Sequence, residues 1–189
     1  GDLLHLIREV HNVDGIERIR FGSLEPRIVT DGFAAALAGL PKICPHFHLS
    51  LQSGCDTTLK RMNRKYTCEE YALGCEFLRK YFEHPAITTD VIVGFPGETD
   101  EEFETTERYL ERIHFYEMHI FQYSRREGTK AYSLSPLDEK IKKERLDVLL
   151  ARKTSLRKKF IDANLGSERE VVIEETEKGF QTGYTDNYI

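Results

Sequence analysis

The sequence lacks the features that would place it in a membrane or on a secretory route. No window approaches the roughly 18 continuous apolar residues that a membrane-spanning helix requires. The opening GDLLHLIREVHN does not have the basic and then apolar pattern of a secretory signal. We therefore expect a cytoplasmic protein with no membrane contact.

Cysteine is scarce, and its spacing lacks the pattern of a metal centre. Cys44, Cys55, Cys68 and Cys75 are separated by 11, 13 and 7 residues, which matches neither zinc nor iron–sulfur ligand spacing. We expect reduced thiols, two of which, Cys68 and Cys75, share the apolar face of a helix. The sequence thus predicts no metal ligand within this chain.

Several catalytic and nucleotide-binding signatures are also missing. The patterns GxGxxG, GxxxxGK[ST], GxSxG and HExxH do not occur. No lysine stands at a strand end as a convincing nucleophile. These absences argue against a phosphate-loop protein and against an unrelated hydrolase or aldolase barrel. The net charge of -5 gives no overall attraction to nucleic acid, so such binding requires a local basic patch.

Extended segments alternate with helical ones along most of the chain. The extended segments are predicted at 16–22, 46–53, 87–94 and 117–124. Repeated β–α units predict a parallel sheet with helices packed outside it. Two helix starts carry capping boxes, Thr67 with Glu70 and Thr99 with Glu102.

The second predicted strand has one polar and one apolar face. Its polar side chains are His46, His48, Ser50 and Gln52. Thr88 and Asp90 repeat the polar pattern on the next strand. A doubly wound sheet is covered by helices on both faces, whereas a barrel keeps an interior that can hold a ligand. We therefore expect a barrel-like α/β sheet with its ligand at the carboxyl ends of the strands.

The pattern changes after residue 136. One long charged helix is predicted at 137–166, and two short strands follow within 167–189. These boundaries divide the chain into a barrel part at 1–136, a linker helix and the start of a small β domain. So short a segment cannot close a β barrel. Because a truncated sheet also exposes unpaired backbone and apolar surface, we expect the chain to self-associate.

Three segments carry a resemblance to a known family. DVIVGFPGETDEEF resembles the penultimate barrel strand of radical S-adenosylmethionine (SAM) proteins. HFHLSLQSGCDTTLKRMNRKYT resembles the MiaB-like methylthiotransferases, and FGSLEPRIVT is most similar to their subgroup that modifies threonylcarbamoyladenosine in tRNA. The terminal EREVVIEETEKGFQTGYTDNYI resembles the opening of a TRAM domain, a small RNA-binding β barrel. The resemblance implies the C-terminal part of a partial (βα)6 TIM-like barrel, then a linker helix and a truncated TRAM-like domain.

The resemblance also implies a SAM pocket. Ser50 and Gln52 would meet the ribose, and Arg64 would meet the SAM carboxylate, because its fork of donors suits a carboxylate. Asp90 would form the polar floor. The alternatives are that Ser50 and Gln52 bond to neighbouring strands and that Arg64 is a surface residue.

Four further residues would surround the adenine of SAM. Gly94 and Phe95 would line it, and Phe121 and Tyr123 would pack nearby. The alternative for these two aromatic residues is a place in the core.

The family's cluster ligands are missing from the sequence. The enzymes hold one [4Fe-4S] cluster on a CxxxCxxC loop and a second cluster on an N-terminal domain, and an electron donor must reduce the cluster that cleaves SAM. Both cluster sites would lie before Gly1, so we expect a truncated chain that binds SAM weakly and is inactive alone.

A basic stripe follows on the predicted linker helix. It consists of Arg152, Lys153, Arg157, Lys158 and Lys159. Such a stripe can neutralise tRNA phosphates, although a solvated helix face is an equal alternative. With the resemblance, it predicts methylthio transfer to carbon 2 of N6-threonylcarbamoyladenosine next to the anticodon. The rivals are methylthiolation of a ribosomal protein aspartate and a non-catalytic RNA-binding scaffold.

Overall fold

The computed structural model describes residues 2–189. Its helices are α1 (Leu3–His11), α2 (Asp31–Ala38), α3 (Asp56–Arg61), α4 (Cys68–Tyr81), α5 (Asp100–Ile113) and α6 (Glu139–Ala163). Its strands are β1 (Ser23–Leu24), β2 (His46–Leu49), β3 (Ala86–Val93), β4 (Glu117–Gln122), β5 (Val171–Glu177) and β6 (Phe180–Thr185). None of the described helices has the length and apolar character that crossing a membrane requires.

Strands β1 to β4 form one parallel sheet. Their order across the sheet is β1-β2-β3-β4, the same as their order along the chain. A doubly wound sheet reverses its strand order at a switch point, whereas a barrel adds each strand beside the last. The order therefore confirms the predicted α/β partial barrel.

The core lies between the outer face of this sheet and the helices. Phe47, Leu49 and Leu51 are at most 1% exposed, as the alternation in the second strand predicts. Tyr71 of α4 is fully buried and donates its hydroxyl to the carbonyl of Leu49 at 2.8 Å. The opposite face keeps His48 partly exposed, so the inner face of the sheet is polar.

Helices α4 and α5 begin where the capping boxes predict. The hydroxyl of Thr67 accepts from the backbone N–H of Glu70 at 3.1 Å, and the Glu70 carboxylate accepts from the N–H of Thr67 at 2.7 Å. Thr99 and Glu102 make the same box. Each box satisfies two donors that a helix start otherwise leaves unpaired.

Two predicted strands are shorter than expected. In the segment 16–22 only Ile19 pairs, in a single parallel bridge with Ile43. The partner segment soon reaches Pro45, which has no N–H to continue a ladder. Strand β2 also stops short of its predicted end, at Leu49, although Gln52, with a left-handed φ of 73°, still forms one parallel bridge with Val91. Helix α1 lies outside the predicted elements.

Helix α6 packs back onto the barrel, and the segment after the β5–β6 hairpin contacts it as well, since the Tyr116 hydroxyl donates to the carbonyl of Tyr188 at 3.0 Å. The helix begins after Asp138, which caps it, and buries Leu149 and Leu156. Beyond the antiparallel hairpin, Asn187 is fully buried and donates to Asn164 Oδ1 at 2.9 Å. The predicted helix and both strands of the C-terminal part are therefore present, while the division into domains stays a prediction.

Candidate functional site

The carboxyl ends of β2, β3 and β4 surround a cavity of about 610 Å³. Five of the eight residues predicted for SAM line it, namely Gln52, Arg64, Asp90, Phe121 and Tyr123. Barrel enzymes bind their ligands at this end of the sheet, and the volume is that of an ordinary small-molecule pocket. The structure thus brings most of the predicted site together.

The bend after β2 is held by contacts that the sequence analysis missed. Tyr66 directs its hydroxyl at the carbonyl oxygens of Ser50 and Leu51, both 2.8 Å away. Burial raises the pKa of Tyr66 to about 12, so the hydroxyl keeps its proton. Gln52 then adopts a left-handed φ of 73° and is only 8% exposed. A residue held in this uncommon conformation is a frequent feature of ligand-binding sites.

Two aromatic side chains form the β4 side of the cavity. Phe121 is 54% exposed, which rules out the core alternative for it. Tyr123 packs edge-on against Phe95 with ring centroids 5.1 Å apart, and its hydroxyl is buried without a hydrogen-bond partner. An exposed ring and an orphaned buried hydroxyl in one cavity fit a ligand with an aromatic face and polar edges, such as SAM.

Three predicted residues, Ser50, Gly94 and Phe95, do not line this cavity. Ser50 Oγ lies 3.4 Å from Asp90 Oδ2, which supports the alternative that it bonds to a neighbouring strand. Ser50 and Arg64 both line a second cavity of about 400 Å³ near β1. Gly94 faces Lys142, because a Cβ on Gly94 would lie 2.3 Å from Lys142 Cγ. The left-handed φ and the packing of Lys142 together account for a glycine here, and its contact with adenine stays a prediction.

Glu98 of the GFPGET turn is buried, with a side chain only 1% exposed. Its carboxylate accepts from the N–H of Gly94 at 2.8 Å and from Arg145 at 2.6 Å. Burial raises the pKa of Glu98, against the opposing effect of these hydrogen bonds. Arg145 also donates to Asp100 at 2.7 Å. No sequence signal indicates this ion pair, because Arg145 lies 47 residues beyond Glu98.

The inner face of the sheet gathers a polar group beside the cavity. His48 Nε2 lies 3.2 Å from Asp90 Oδ2, and His48 Nδ1 lies 3.0 Å from Thr88 Oγ1. His119 is the register partner of Asp90 on the next strand. Strand alternation predicts His48 and Asp90 on one face, whereas His119 is absent from the predicted site. Alternation along β4, which puts His119 on the face of Phe121, is the signal that finds it.

The cysteines do not assemble a cluster site in the described chain. All four are free, and Cys44, Cys55 and Cys75 are buried. Burial raises the pKa of Cys75 to about 12, which opposes the thiolate form that a metal ligand needs. Among residues 2–189, one group of three potential metal-ligating side chains converges, and none of the three is a cysteine. The residues present therefore do not fit an iron–sulfur cluster.

The five basic residues predicted to bind RNA lie on α6, and each is paired with a carboxylate. Arg152 pairs with Glu107 and Glu111, and Lys159 also pairs with Glu111. The other pairs are Lys153–Glu117, Arg157–Glu117 and Lys158–Asp162. RNA phosphates must compete with these carboxylates, so the stripe offers less free positive charge than its sequence indicates. RNA binding by this stripe stays a prediction.

Curated relatives resemble the chain over nearly its full length. It is 41% identical over 183 residues to the threonylcarbamoyladenosine tRNA methylthiotransferase MtaB of Bacillus subtilis, covering 94% of this chain and 41% of that protein. It is 41% identical over 174 residues to the tRNA-2-methylthio-N(6)-dimethylallyladenosine synthase of Acetivibrio thermocellus, covering 92% of this chain and 36% of that protein. The chain thus spans about two fifths of the length of these relatives.

A solved structure and a family profile agree on the fold. Coproporphyrinogen III oxidase (HemN) of Escherichia coli, described as a radical SAM enzyme, superposes with a TM-score of 0.62 at 17% identity. The match covers 82% of this chain and 36% of that one, and at this identity it shows the fold alone. The profile of the Radical SAM superfamily matches residues 1–110, which is more than half of the chain. The chain therefore belongs to the radical SAM superfamily.

Proposed function

We propose that this chain is the SAM-binding part of a tRNA methylthiotransferase. The observation that carries the proposal is the cavity at the carboxyl ends of β2, β3 and β4, which five residues predicted for SAM line together. When bound, SAM supplies the methyl group and the radical of this chemistry. The residues of the chain bind and orient it.

Different parts of the cavity suit different parts of SAM. The amide of Gln52 and the carboxylate of Asp90 offer hydrogen bonds to ribose hydroxyls. Arg64 is exposed at the rim, where its guanidinium can meet the amino-acid carboxylate of SAM. The exposed ring of Phe121 and the unpaired hydroxyl of Tyr123 suit the adenine.

We also propose carbon 2 of N6-threonylcarbamoyladenosine next to the anticodon as the position that receives the methylthio group. The curated relatives described above are named for tRNA adenosine derivatives, which favours tRNA over a ribosomal protein. The basic stripe on α6 supports the same choice, once its carboxylate partners are displaced. The family resemblance implies two iron–sulfur clusters and an electron donor. We assign these to the whole protein and not to this chain.

Calorimetric titration of SAM into the purified chain tests the first part. We expect weak saturable binding, and Phe121→Ala to weaken it roughly fivefold, because ring stacking contributes about 1 kcal/mol. Phe180→Ala is the matched control, since Phe180 is 76% exposed on the β5–β6 hairpin. No saturable SAM binding, or equal losses in both variants, would contradict the proposal and favour the non-catalytic RNA-binding scaffold.

The nucleosides of cells that lack the gene test the second part. We expect mass spectrometry of digested tRNA to show N6-threonylcarbamoyladenosine in place of its 2-methylthio derivative, with recovery when the whole gene is restored. An unchanged tRNA together with a ribosomal protein that has lost a methylthio group would assign the enzyme to the protein substrate instead.

A further inference from the structure

We propose that His48, Asp90 and His119, here called the inner-face triad, bind one divalent transition-metal ion. The three residues stand on the adjacent strands β2, β3 and β4. Their nearest ligand atoms all lie within 4.8 Å of one another, and His48 Nε2 and Asp90 Oδ2 are 3.2 Å apart. Cysteine spacing predicts no metal ligand in this chain, and the site proposed here contains no cysteine.

The donor set is chemically suited to such an ion. Two imidazoles and one carboxylate are ligands for Zn²⁺ and for non-haem Fe²⁺. Bonds of about 2.0–2.1 Å around tetrahedral zinc set the ligand atoms roughly 3.4 Å apart. His48 and Asp90 are already close to this separation, and the ligand nitrogen of His119 lies within 4.8 Å of both.

A further contact holds His48 in a ligating orientation. Its Nδ1 lies 3.0 Å from the hydroxyl of Thr88, which is only 4% exposed. Histidine ligands commonly bond through their other ring nitrogen, because that bond fixes the ring and its tautomer. Thr88 thus leaves Nε2 of His48 free to face Asp90 and a metal ion. Thr88 is a positioning residue in this arrangement.

The surroundings leave room for a further, exchangeable ligand. His48 and His119 line a cavity of about 440 Å³ on the inner face of the sheet. Asp90 also lines the larger cavity proposed for SAM, so the two sites adjoin and share one residue. A site with three protein ligands and an open side is typical of metals that bind a water or a substrate.

Calorimetric titration of zinc chloride into the chelator-treated chain, without SAM, tests the inference. We expect one equivalent of zinc to bind, and His48→Gln and His119→Gln each to weaken that binding at least tenfold. Thr88→Val should weaken it roughly tenfold, as loss of a ligand's supporting contact does. His84→Gln and His114→Gln are matched controls, because these exposed histidines lie elsewhere on the molecule and should leave zinc binding unchanged.

Two further measurements distinguish zinc binding by the inner-face triad from binding by the four cysteines, and a loss of ligands from a folding defect. Cobalt bound to the wild-type chain should show weak visible bands without the intense ultraviolet absorption of thiolate ligands. Zinc should shift the imidazole NMR signals of His48 and His119 in the wild-type chain, where no substitution can disturb the fold. Thiolate absorption by cobalt, unshifted imidazole signals, or wild-type zinc affinity in the double variant His48→Gln/His119→Gln would each overturn the inference.

The outcome is independent of the proposed function. Zinc binding without any SAM affinity would leave the metal site standing and remove the SAM proposal. SAM binding that Phe121→Ala weakens, together with the absence of zinc binding, would support the SAM proposal and overturn the metal site.

Discussion

Helix α6 is tied to the barrel by two sets of ion pairs that differ in burial. In its first half, Arg145 pairs with Glu98, and their side chains are 6% and 1% exposed. In its second half, Arg152 is 37% exposed and pairs with Glu107 and Glu111. A buried pair cannot exchange its partner for water without a large cost, whereas an exposed pair exchanges readily. The first set therefore maintains structure, and the second is open to an external polyanion.

The buried set shapes the turn next to the proposed SAM cavity. Glu98 holds the N–H of Gly94, whose φ of 71° is left-handed. Lys142 of α6 covers the same glycine and is itself only 5% exposed. Phe95 follows directly and packs on Tyr123 in the cavity wall. Helix α6 thus supports one wall of the cavity without contributing a residue to it.

The largest effect is expected from breaking the buried pair. Arg145→Met leaves Glu98 and its raised pKa without a cationic partner in the interior. We expect the free energy of unfolding to fall by about 3–5 kcal/mol, as it does when one member of a buried pair is removed. Chemical denaturation monitored by circular dichroism measures the change.

Arg152→Met is the matched control, because it removes an arginine from the same helix at an exposed pair. Its expected cost is about 0–1 kcal/mol. If Arg145→Met does not fold, the double variant Glu98→Gln/Arg145→Met should recover a folded chain, since it leaves no unpaired charge in the interior and Asp100, the other partner of Arg145, is exposed. Equal losses in the two single variants would contradict the comparison.

A smaller effect is expected at the glycine that the buried half of α6 covers. Gly94→Ala places a Cβ 2.3 Å from Lys142 Cγ and forces alanine into a left-handed φ. We expect a loss of about 2–3 kcal/mol in unfolding free energy, of which about 1–2 kcal/mol is the backbone cost. Gly128→Ala isolates that backbone cost, because Gly128 has a φ of 79° and open space around it. Lys142→Ala should relieve part of the loss at Gly94, and a loss equal to that of Gly128→Ala would show that Lys142 exerts no constraint.

The pH dependence of stability should distinguish two glutamates near the same turn. Burial raises the pKa of Glu98, so its stabilising contribution is complete below the ordinary value of 4.5 and is lost as pH rises through the folded-state pKa. Hydrogen bonds from Arg61 lower the pKa of Glu102, so its contribution is present above 4.5 and is lost as pH falls through the folded-state pKa.

Denaturation of the wild type, Glu98→Gln and Glu102→Gln from about pH 3 to 7 measures both effects. The stability difference between the wild type and Glu98→Gln should shrink as pH rises. The difference between the wild type and Glu102→Gln should grow over the acidic part of the range. Parallel profiles would show that the two carboxyl groups titrate alike.

The sequence predicts the fold well where local chemistry sets it. The capping box of Thr67 and Glu70 and the alternation around His48 depend on neighbouring residues, and both are confirmed. The strand expected at 16–22 depends instead on what lies beside it. Its partner segment leads into Pro45, and only one bridge forms.

The candidate site shows the same difference between local and distant determinants. Alternation and family resemblance place Gln52, Asp90 and Phe121 in one cavity. The contacts that hold the site come from distant positions, such as the ion pair of Glu98 with Arg145. Pairing between distant positions leaves no local pattern in a single sequence, so these contacts could only be found from the structure.

The smallest effect on stability is expected from Glu111→Gln. This variant also tests most directly whether the exposed ion pairs in the second half of α6 are open to RNA. This change releases Lys159 from its carboxylate and Arg152 from one of its two. We expect the unfolding free energy to change by about 0–1 kcal/mol. Binding of tRNA at low salt should strengthen, with a steeper dependence on salt concentration, because more cations are free to replace phosphate counterions.

Glu104→Gln is the matched control for that measurement. It removes the same charge from α5, where Glu104 pairs with Arg108 of its own helix. Both variants change the net charge equally, so a difference in tRNA affinity reports the stripe on α6 and not general electrostatics. Equal changes would assign the basic residues of α6 to intramolecular pairing alone, and tRNA binding would then have to depend on another surface.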